Sequence, residues 1–419
     1  MYFSISRIKD SFWFILLIFI FLRPFLSEYA FLNLGFWYIF LFIIFSLIYI
    51  FFSKGINPFY PPLNLAVTLF LLIILISLIF KGFTLWSIYE FYLFILNFLI
   101  FYIISKIDLN KTRQILNTVL ASSILICIYA IYQYLIGLDN VLNYIVRNAI
   151  KFSSYTYIKE VLVGKRAFAT FVSPNLFASY LIMILFLGLG IWLENKRKML
   201  YLLAVFLISL SLIYTKSIGA ILTFMLVFIF WFYFFIQQNR FILNKRINLI
   251  IIGAIFFIFV ITLAFIFINR HKISHFFDLS YTHNSIIQRL YYWQTALKMI
   301  KDYPLLGIGW SKFGIYYYFY KPNLANMSHY AHNVFLQITA ELGIFGLLAF
   351  LSILFFFLKE SLKIIKKDPS ILKFSLLCSG ISFLIHNLSE LSFYFGQISF
   401  FWWLILGLLN SLYQISIEK

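Results

Sequence analysis

Polar side chains that could transfer a proton stand at the border of a long apolar segment. His332 and Asn333 come immediately before the apolar run that starts at Val334. An imidazole titrates near neutral pH, so His332 is a candidate general base that a neighbour such as Asn333 could orient. A capping or hydrogen-bonded structural histidine is the alternative. Glu341 lies deeper in the run and is either a functional carboxylate or one paired with backbone or a basic side chain.

Arg289 belongs to the segment NSIIQRLYYWQTALKMIKDYP, which predicts an amphipathic helix over residues 285–302, capped by Asn284 or Ser285. At helical spacing this segment has an apolar stripe of Ile286, Leu290, Trp293, Leu297 and Ile300. The opposite face would carry Gln288, Thr295, Lys298 and Asp302. Arg289 falls on the apolar side, where a buried charge is costly unless it is paired. Its partner is therefore either a carboxylate of the protein or a ligand phosphate.

Two further basic residues border predicted helices. Arg166 stands just outside a predicted span over 168–193, and Lys216 occupies the tight turn in IYTKSIGA. Both side chains could bind an anion by charge-assisted hydrogen bonds. For Lys216 a plain topology charge is the alternative.

The elements that must position these residues are membrane-spanning helices. Of 419 residues, 63% are hydrophobic and 11% are charged, well below the charged fraction of a soluble domain. The net charge of +19 is scattered between apolar runs, which argues against nucleic acid as a partner. The sequence predicts an all-α polytopic membrane protein, one domain over 1–419, with about twelve spans. They cover 12–22, 34–52, 63–80, 85–104, 115–135, 168–193, 199–214, 218–236, 247–267, 334–358, 371–388 and 393–415.

The distribution of basic residues predicts the orientation. Short connecting segments on one side carry most of the Lys and Arg, whereas those on the other side offer only Arg23, Lys81 and Lys216. The positive-inside rule then places both termini in the cytoplasm. Two longer loops, 137–166 and 268–333, fall on the outer face, and His332 ends the second. Chemistry is expected there because long loops in compact proteins are usually functional.

Three stretches in this order resemble the O-antigen ligase and polymerase superfamily of bacterial envelope glycosyltransferases. They are RAFATFVSPNLFASYL, RLYYWQTALKMIKDYPLLGIGWSKF and HNVFLQITAELGIFGLLAF, which together run from Arg166 to Phe350. The resemblance implies a GT-C-like helical fold, with His332 as the catalytic histidine and Arg289 as the arginine of the long loop. The family's arginine after a Thr-x-Ser pair is missing, since Ile218 stands in that place. Lys216 could supply the charge, without bidentate geometry.

The resemblance implies that the chain would be an O-antigen ligase of the bacterial inner membrane. It would transfer a glycan from undecaprenyl diphosphate to lipid A-core on the periplasmic face by single, inverting displacement. The diphosphate would be held by Arg289, Lys216 and Arg166, with Asn333, Glu341 and Trp293 as possible supporting residues. No acidic cluster with magnesium-ligand character occurs in the predicted outer segments, so neither a metal nor another cofactor is expected.

Other functions remain open from the sequence. A polysaccharide polymerase of the same superfamily would often carry an arginine followed by glycine eleven residues later, and no arginine here has that partner. A protein O-glycosyltransferase ranks lower, since a soluble acceptor domain is absent. A transporter of lipid-linked sugar would need charged groups near the membrane midplane and broken helices. The polar residues of this chain gather at outer helix ends instead.

Overall fold

The computed structural model describes residues 2–27, 32–52, 59–147, 161–194, 198–238 and 284–418. Within those ranges the chain forms helices joined by turns, with no strand. The span predicted over 247–267 lies outside the described residues, as do positions 148–160 of the first long loop and 268–283 of the second.

Fourteen α-helices are described. They are α1 (Tyr2–Leu22), α2 (Leu32–Phe52), α3 (Pro62–Phe80), α4 (Leu85–Ile104), α5 (Leu109–Tyr132), α6 (Leu138–Arg147), α7 (Pro174–Glu194), α8 (Lys198–Thr215), α9 (Ile218–Gln238), α10 (Ser285–Asp302), α11 (Phe313–Tyr320), α12 (Val334–Lys367), α13 (Ile371–His386) and α14 (Gly396–Glu418). In the described ranges, seven helical segments are long and apolar enough to cross a membrane, and three shorter apolar helices accompany them. The prediction of an all-α polytopic membrane protein is confirmed.

Several helix boundaries differ from those predicted. Helix α7 begins at Pro174 rather than at Phe168, because proline fits the first turn of a helix, where its missing N–H would have no partner. Helix α5 continues through a π-helical turn, Gln133–Gly137, into α6, so the first part of the loop predicted over 137–166 is helical.

The core of the bundle lies around α7 and α14. Nearly every described side chain of α7 is buried, and α7 packs against α8 and α13. Helix α14 packs against α4 and α12 and buries Trp402 and Trp403. The ends of these buried helices are therefore held rigidly, and side chains placed there have little freedom to move.

Helix α12 is kinked at Gly343, which adopts a φ of +67°. A side chain at this position would collide with the carbonyl of Leu305. The loop before α11 packs into the kink, where the Ile308 N–H donates to the Ala340 carbonyl at 2.9 Å. This contact fixes α10 and the following loop to the start of α12, which is the arrangement that positions the site.

Candidate active site

Five segments meet at one end of the bundle. They are the start of α7, the turn between α8 and α9, the start of α10, the residues before α12 and the segment 387–391 after α13. Each is an end of a packed helix or a short connection between two helices. Side chains from distant parts of the sequence can therefore meet there without a long flexible loop.

His332 is held in an unusual backbone conformation. Its φ is +50°, in the left-handed region that non-glycine residues rarely adopt. The residues on both sides are anchored: the Ala331 N–H donates to Gln337 Oε1 at 2.6 Å, and the Val334 N–H donates to the Asn387 carbonyl at 3.0 Å. Local strain of this kind persists where the surroundings impose it, and it is enriched at functional sites.

The imidazole of His332 is fixed on two sides. Its ring stacks on Tyr292 of α10, with centroids 5.4 Å apart and an angle of 26° between the planes. Its Nδ1 is buried and lies 3.8 Å from Oε2 of Glu390. That distance exceeds a hydrogen bond, so the contact is electrostatic.

Arg289 projects from the first turns of α10 toward the same carboxylate. Its Nη2 donates to Glu390 Oε1 at 2.5 Å, and its Nε donates to the Ser389 carbonyl at 2.7 Å. Nη1 donates to the Ser285 carbonyl at 3.4 Å. The sequence predicts that an inward arginine at this position needs an anion, and in the structure that anion is a carboxylate of the protein.

Glu390 joins the two candidate residues through separate oxygens. It is buried in the segment after α13, with Arg289 on Oε1 and His332 facing Oε2. Burial alone would raise the pKa of Glu390, but the positive charge of Arg289, with His332 and His386, holds this pKa well below its usual range. The carboxylate is therefore ionised at neutral pH and is a fixed negative charge beside the imidazole.

Arg166 enters the same network through an asparagine. Its Nη2 donates to Asn175 Oδ1 at 2.7 Å, and Asn175 Nδ2 donates to Glu390 Oε1 at 2.8 Å. Its Nε donates to the Thr215 carbonyl at 2.9 Å, which ties it to the end of α8. Both arginines are thus linked to Glu390 Oε1, Arg289 directly and Arg166 through the amide of Asn175.

Lys216 occupies the turn between α8 and α9, and Arg166 is one of the charges near it. Lys216 has a φ of +51°, and its Nζ donates to the Gly164 carbonyl at 2.9 Å and lies over the Tyr134 ring at 5.6 Å. Burial, together with the positive charges of Arg166 and Lys165, lowers the pKa of Lys216. Because several positive charges lie close together here, binding of an anion beside Lys216 would be favourable.

The start of α9, which follows Lys216, also packs against the residues around Glu390. Gly219, just after the turn, lies against His386 and Ser389, and a Cβ at Gly219 would be 3.7 Å from His386 Nε2. The Ser389 carbonyl is the group that accepts from Arg289. The predicted residues Arg289 and His332 therefore meet at Glu390, and Arg166 reaches it through Asn175, whereas Lys216 is linked to this segment only through the neighbouring Gly219.

Two predicted supporting residues have structural roles in α12. The Asn333 side chain accepts from the Phe335 and Leu336 N–H groups at 3.0 and 3.1 Å and caps the helix; it does not orient His332 in the described contacts. Glu341 is buried and accepts from Gln337 Nε2 at 2.8 Å and from the Phe313 N–H at 3.3 Å. Glu341 thus links the loop before α11 to α12. Of the two predicted roles for Glu341, this is the one in which the carboxylate pairs with backbone.

The helix predicted over 285–302 has the bounds Ser285–Asp302 in the structure, with Asn284 as its cap. Its predicted faces are partly wrong, although Ile300 packs against a hydrophobic cluster and Lys298 and Asp302 are exposed as predicted. Leu290 and Leu297 of the apolar stripe are exposed, while Gln288 and Thr295 are buried. The polar side chains are buried because they have partners. For example, Gln288 accepts from the Asn326 N–H at 2.7 Å and donates to the Leu324 carbonyl at 3.2 Å. Trp293, a predicted supporting residue, is partly buried and packs against a hydrophobic cluster that includes Ala296 and Met299 of α10 and Phe313 and Tyr317 of α11.

Sequence reasoning missed Glu390, Asn175 and Tyr292 as members of the site. One available signal concerned Glu390, which follows a predicted span in HNLSELSFY and is one of only 14 acidic residues in the chain. Asn175 and Tyr292 offered no comparable signal. Among the described residues, no group of three or more His, Cys, Asp or Glu side chains is arranged to hold a metal ion.

Comparison with protein families relates part of the chain to a known family. A family model described as O-antigen ligase matches residues 203–351. The matched region contains Lys216, Arg289 and His332, whereas Arg166 and Glu390 lie outside it. A comparison with curated proteins found no match.

Proposed function

Because residues 203–351 make this chain a member of the O-antigen ligase superfamily, we propose that it is an O-antigen ligase. It transfers a glycan from undecaprenyl diphosphate to lipid A-core at the periplasmic face of the inner membrane, without a metal ion. The observation that carries this proposal is the meeting of Arg289 and His332 at Glu390. A family of enzymes that process lipid-linked glycans needs both an anion-binding group and a base, and these two side chains supply them.

The basic residues would bind the donor diphosphate. A guanidinium has five N–H donors, and the described hydrogen bonds of Arg289 use three of them, so two remain for phosphate oxygens. Arg166, which is linked to Glu390 through Asn175, and its neighbour Lys216 add positive charge. Charge-assisted contacts from these groups stabilise the diphosphate as negative charge develops on the leaving group.

His332 would act as the general base. With the Nδ1 proton directed at Glu390 Oε2, the lone pair lies on Nε2, which accepts the proton of an acceptor hydroxyl. The hydroxyl oxygen attacks the anomeric carbon as the bond from that carbon to the diphosphate oxygen breaks. The electron pair leaves with undecaprenyl diphosphate, and the anomeric centre is inverted. Glu390 stabilises the imidazolium that forms, because its carboxylate is already ionised.

The proposed orientation rests on charge. The site lies at the helix ends opposite to Lys106, Lys111 and Arg113, which belong to the segments rich in basic residues. By the positive-inside rule those segments and both termini are cytoplasmic, so the site faces the periplasm, where lipid-linked glycans are presented.

A complementation experiment tests the function. The full chain is expressed in a host that lacks its own O-antigen ligase, and lipopolysaccharide is separated on a gel. The wild-type chain restores capped lipopolysaccharide, and His332→Ala abolishes it at equal protein level. His329→Ala is the matched control, because His329 lies in the same loop near Trp86 and away from the Glu390 contacts. If the His332→Ala variant still produces capped lipopolysaccharide, His332 is not the general base. Restoration only in a polymerase-deficient host favours the polymerase reaction, and lipid-linked sugar moved without transfer favours a transporter.

A further inference from the structure

Two lysines lie side by side at the end of α10 that is remote from Arg289. Lys81 is in the turn between α3 and α4, and Lys312 immediately precedes α11. Lys312 Nζ donates to the Lys81 carbonyl at 2.5 Å, and Lys81 Nζ lies 5.3 Å from the centre of the Tyr303 ring. The two side chains therefore share one small region, which we call the lysine pair.

Two glycines shape the backbone around the lysine pair. Gly309 has a φ of +111° and Gly82 a φ of +72°, both in the region that favours glycine. A Cβ on Gly309 would lie 3.0 Å from Lys312 Cδ and 3.0 Å from Lys81 Cβ. Both lysine stems thus pack on the same glycine surface. The two side chains are therefore close enough for the charge of Lys81 to act on Lys312.

Within the described residues, the lysine pair forms no ion pair. The acidic side chains around it are engaged elsewhere: Asp302 accepts from the Tyr320 hydroxyl at 2.6 Å, and Glu341 accepts from the Phe313 N–H at 3.3 Å. Burial and the charge of Lys81 lower the pKa of Lys312. Two adjacent cations without a carboxylate are a site for an anion supplied from outside the protein.

The surroundings of the lysine pair are apolar and exposed. Phe80 and Phe83, which flank Lys81 and Gly82, are 73% and 70% exposed, and Leu305 is 61% exposed. Lysines whose stems cross apolar surface while their charges reach the interface are typical of the headgroup level of a membrane. Lys81 is also one of the few basic residues of short segments on the predicted outer side, where the positive-inside rule supplies no reason for it.

We propose that the lysine pair binds a phosphate of the glycolipid acceptor, and so anchors the acceptor's lipid end while its glycan reaches His332. This inference rests on the proposed function. Helix α10 carries Arg289 in its first turns and ends at Asp302, next to Tyr303, and the 14 residues from Arg289 to Tyr303 rise about 21 Å along the helix axis. The donor diphosphate and the acceptor phosphate thus bind at opposite ends of one rigid helix. Their separation is a length that an oligosaccharide between lipid and acceptor hydroxyl can cover.

Direct binding to the purified full-length protein tests this site. The probes are lipid A carrying its phosphates, the same lipid with its phosphates removed, phosphatidylglycerol and phosphatidylcholine, with complexes counted by native mass spectrometry. For phosphorylated lipid A, Lys81→Gln combined with Lys312→Gln lowers affinity about tenfold or more, the size of one charge-assisted contact. The arginine double variant, Lys81→Arg with Lys312→Arg, retains binding. The control Lys321→Gln, whose Nζ donates to the Ala325 carbonyl at 3.3 Å, leaves binding unchanged.

Each outcome decides the inference. Loss of phosphorylated lipid A binding in the glutamine variant, with dephosphorylated lipid A already weak in the wild type, supports it. Equal binding of phosphatidylglycerol overturns the acceptor assignment, and unchanged affinity in the glutamine variant overturns the site. Because binding is measured without transfer, a failed complementation with intact lipid binding would reject the ligase function and leave the lysine pair standing.

Discussion

Glu390 lies between Arg289 and His332, with Oε1 2.5 Å from Arg289 Nη2 and Oε2 3.8 Å from His332 Nδ1. One carboxylate thus neutralises the cation that would bind the donor and faces the imidazole that would activate the acceptor. The charge of Glu390 links the two halves of the proposed reaction, and changes to this residue are the most informative tests of the site.

Glu390→Gln removes the charge and keeps the shape. Transfer should fall about a hundredfold or more, because the imidazolium formed at His332 loses its counter-charge. Stability should fall by about 3 kcal/mol, since Arg289 is left without its buried partner. Turnover and thermal unfolding in detergent measure the two effects. Glu194→Gln is the control, as Glu194 accepts from the Leu372 N–H at the other end of the bundle. Wild-type turnover in Glu390→Gln would remove the carboxylate from the mechanism.

The depressed pKa of Glu390 predicts how stability depends on pH. A carboxyl group whose pKa is lowered by folding stabilises the protein above its unfolded pKa, and this contribution is lost as pH falls toward the folded pKa. The window therefore begins near the ordinary value of 4.5 and extends below it. The stability difference between wild type and Glu390→Gln should be constant from neutral pH to about 5 and shrink at lower pH. A difference that instead shrinks between pH 8 and 6 would contradict an ionised, paired Glu390.

Arg289→Lys retains the charge and removes the planar fork. A single ammonium cannot reproduce the separate contacts to Glu390, the Ser389 carbonyl and a phosphate. Transfer should fall about tenfold or more through a higher KM for the lipid diphosphate, while protein level is kept. Steady-state kinetics with the lipid donor measure this effect. Full activity of the lysine variant would reduce Arg289 to a simple positive charge.

Lys216→Met tests whether this lysine takes the place of the missing family arginine. It should raise the KM for the donor about tenfold, and Lys216→Arg should restore it, because positive charge at the turn is what the phosphate needs. Lys165→Met is the matched control, since Lys165 also has a positive φ and is already paired with Asp139 at 2.6 Å. If the two methionine variants behave alike, Lys216 is a topology charge only.

Asn333→Ala and Asn333→Asp separate capping from catalysis. The alanine variant loses the acceptor for the first N–H groups of α12 and should destabilise the protein by about 1 kcal/mol, whereas aspartate keeps the cap. Turnover per folded molecule should stay near wild type in both, because Asn333 makes no described contact with His332. Thermal unfolding and turnover normalised to folded protein measure the two effects. A large loss of turnover in a stable aspartate variant would show that Asn333 does orient the imidazole.

The sequence alone determined the membrane-spanning architecture and the residue types of the site. Apolar length and helix signals are local properties, so most spans and the helix Ser285–Asp302 follow from composition and capping. The position of His332 before the apolar run that becomes α12, and the position of Arg289 on the apolar side of α10, also follow from local sequence. An unpaired charge is costly, so the sequence also required an anionic partner for Arg289.

Only the tertiary structure decided which groups meet. Arg289 and Glu390 are 101 residues apart in the chain, and Asn175 and Glu390 are 215 apart, so no local pattern relates them. The same holds for the buried face of α10, because Gln288 is buried by hydrogen bonds to backbone groups at Leu324 and Asn326 rather than by its own hydropathy. Long-range hydrogen bonds in a packed interior can outweigh apolar periodicity, and they exist only once the helices have packed together.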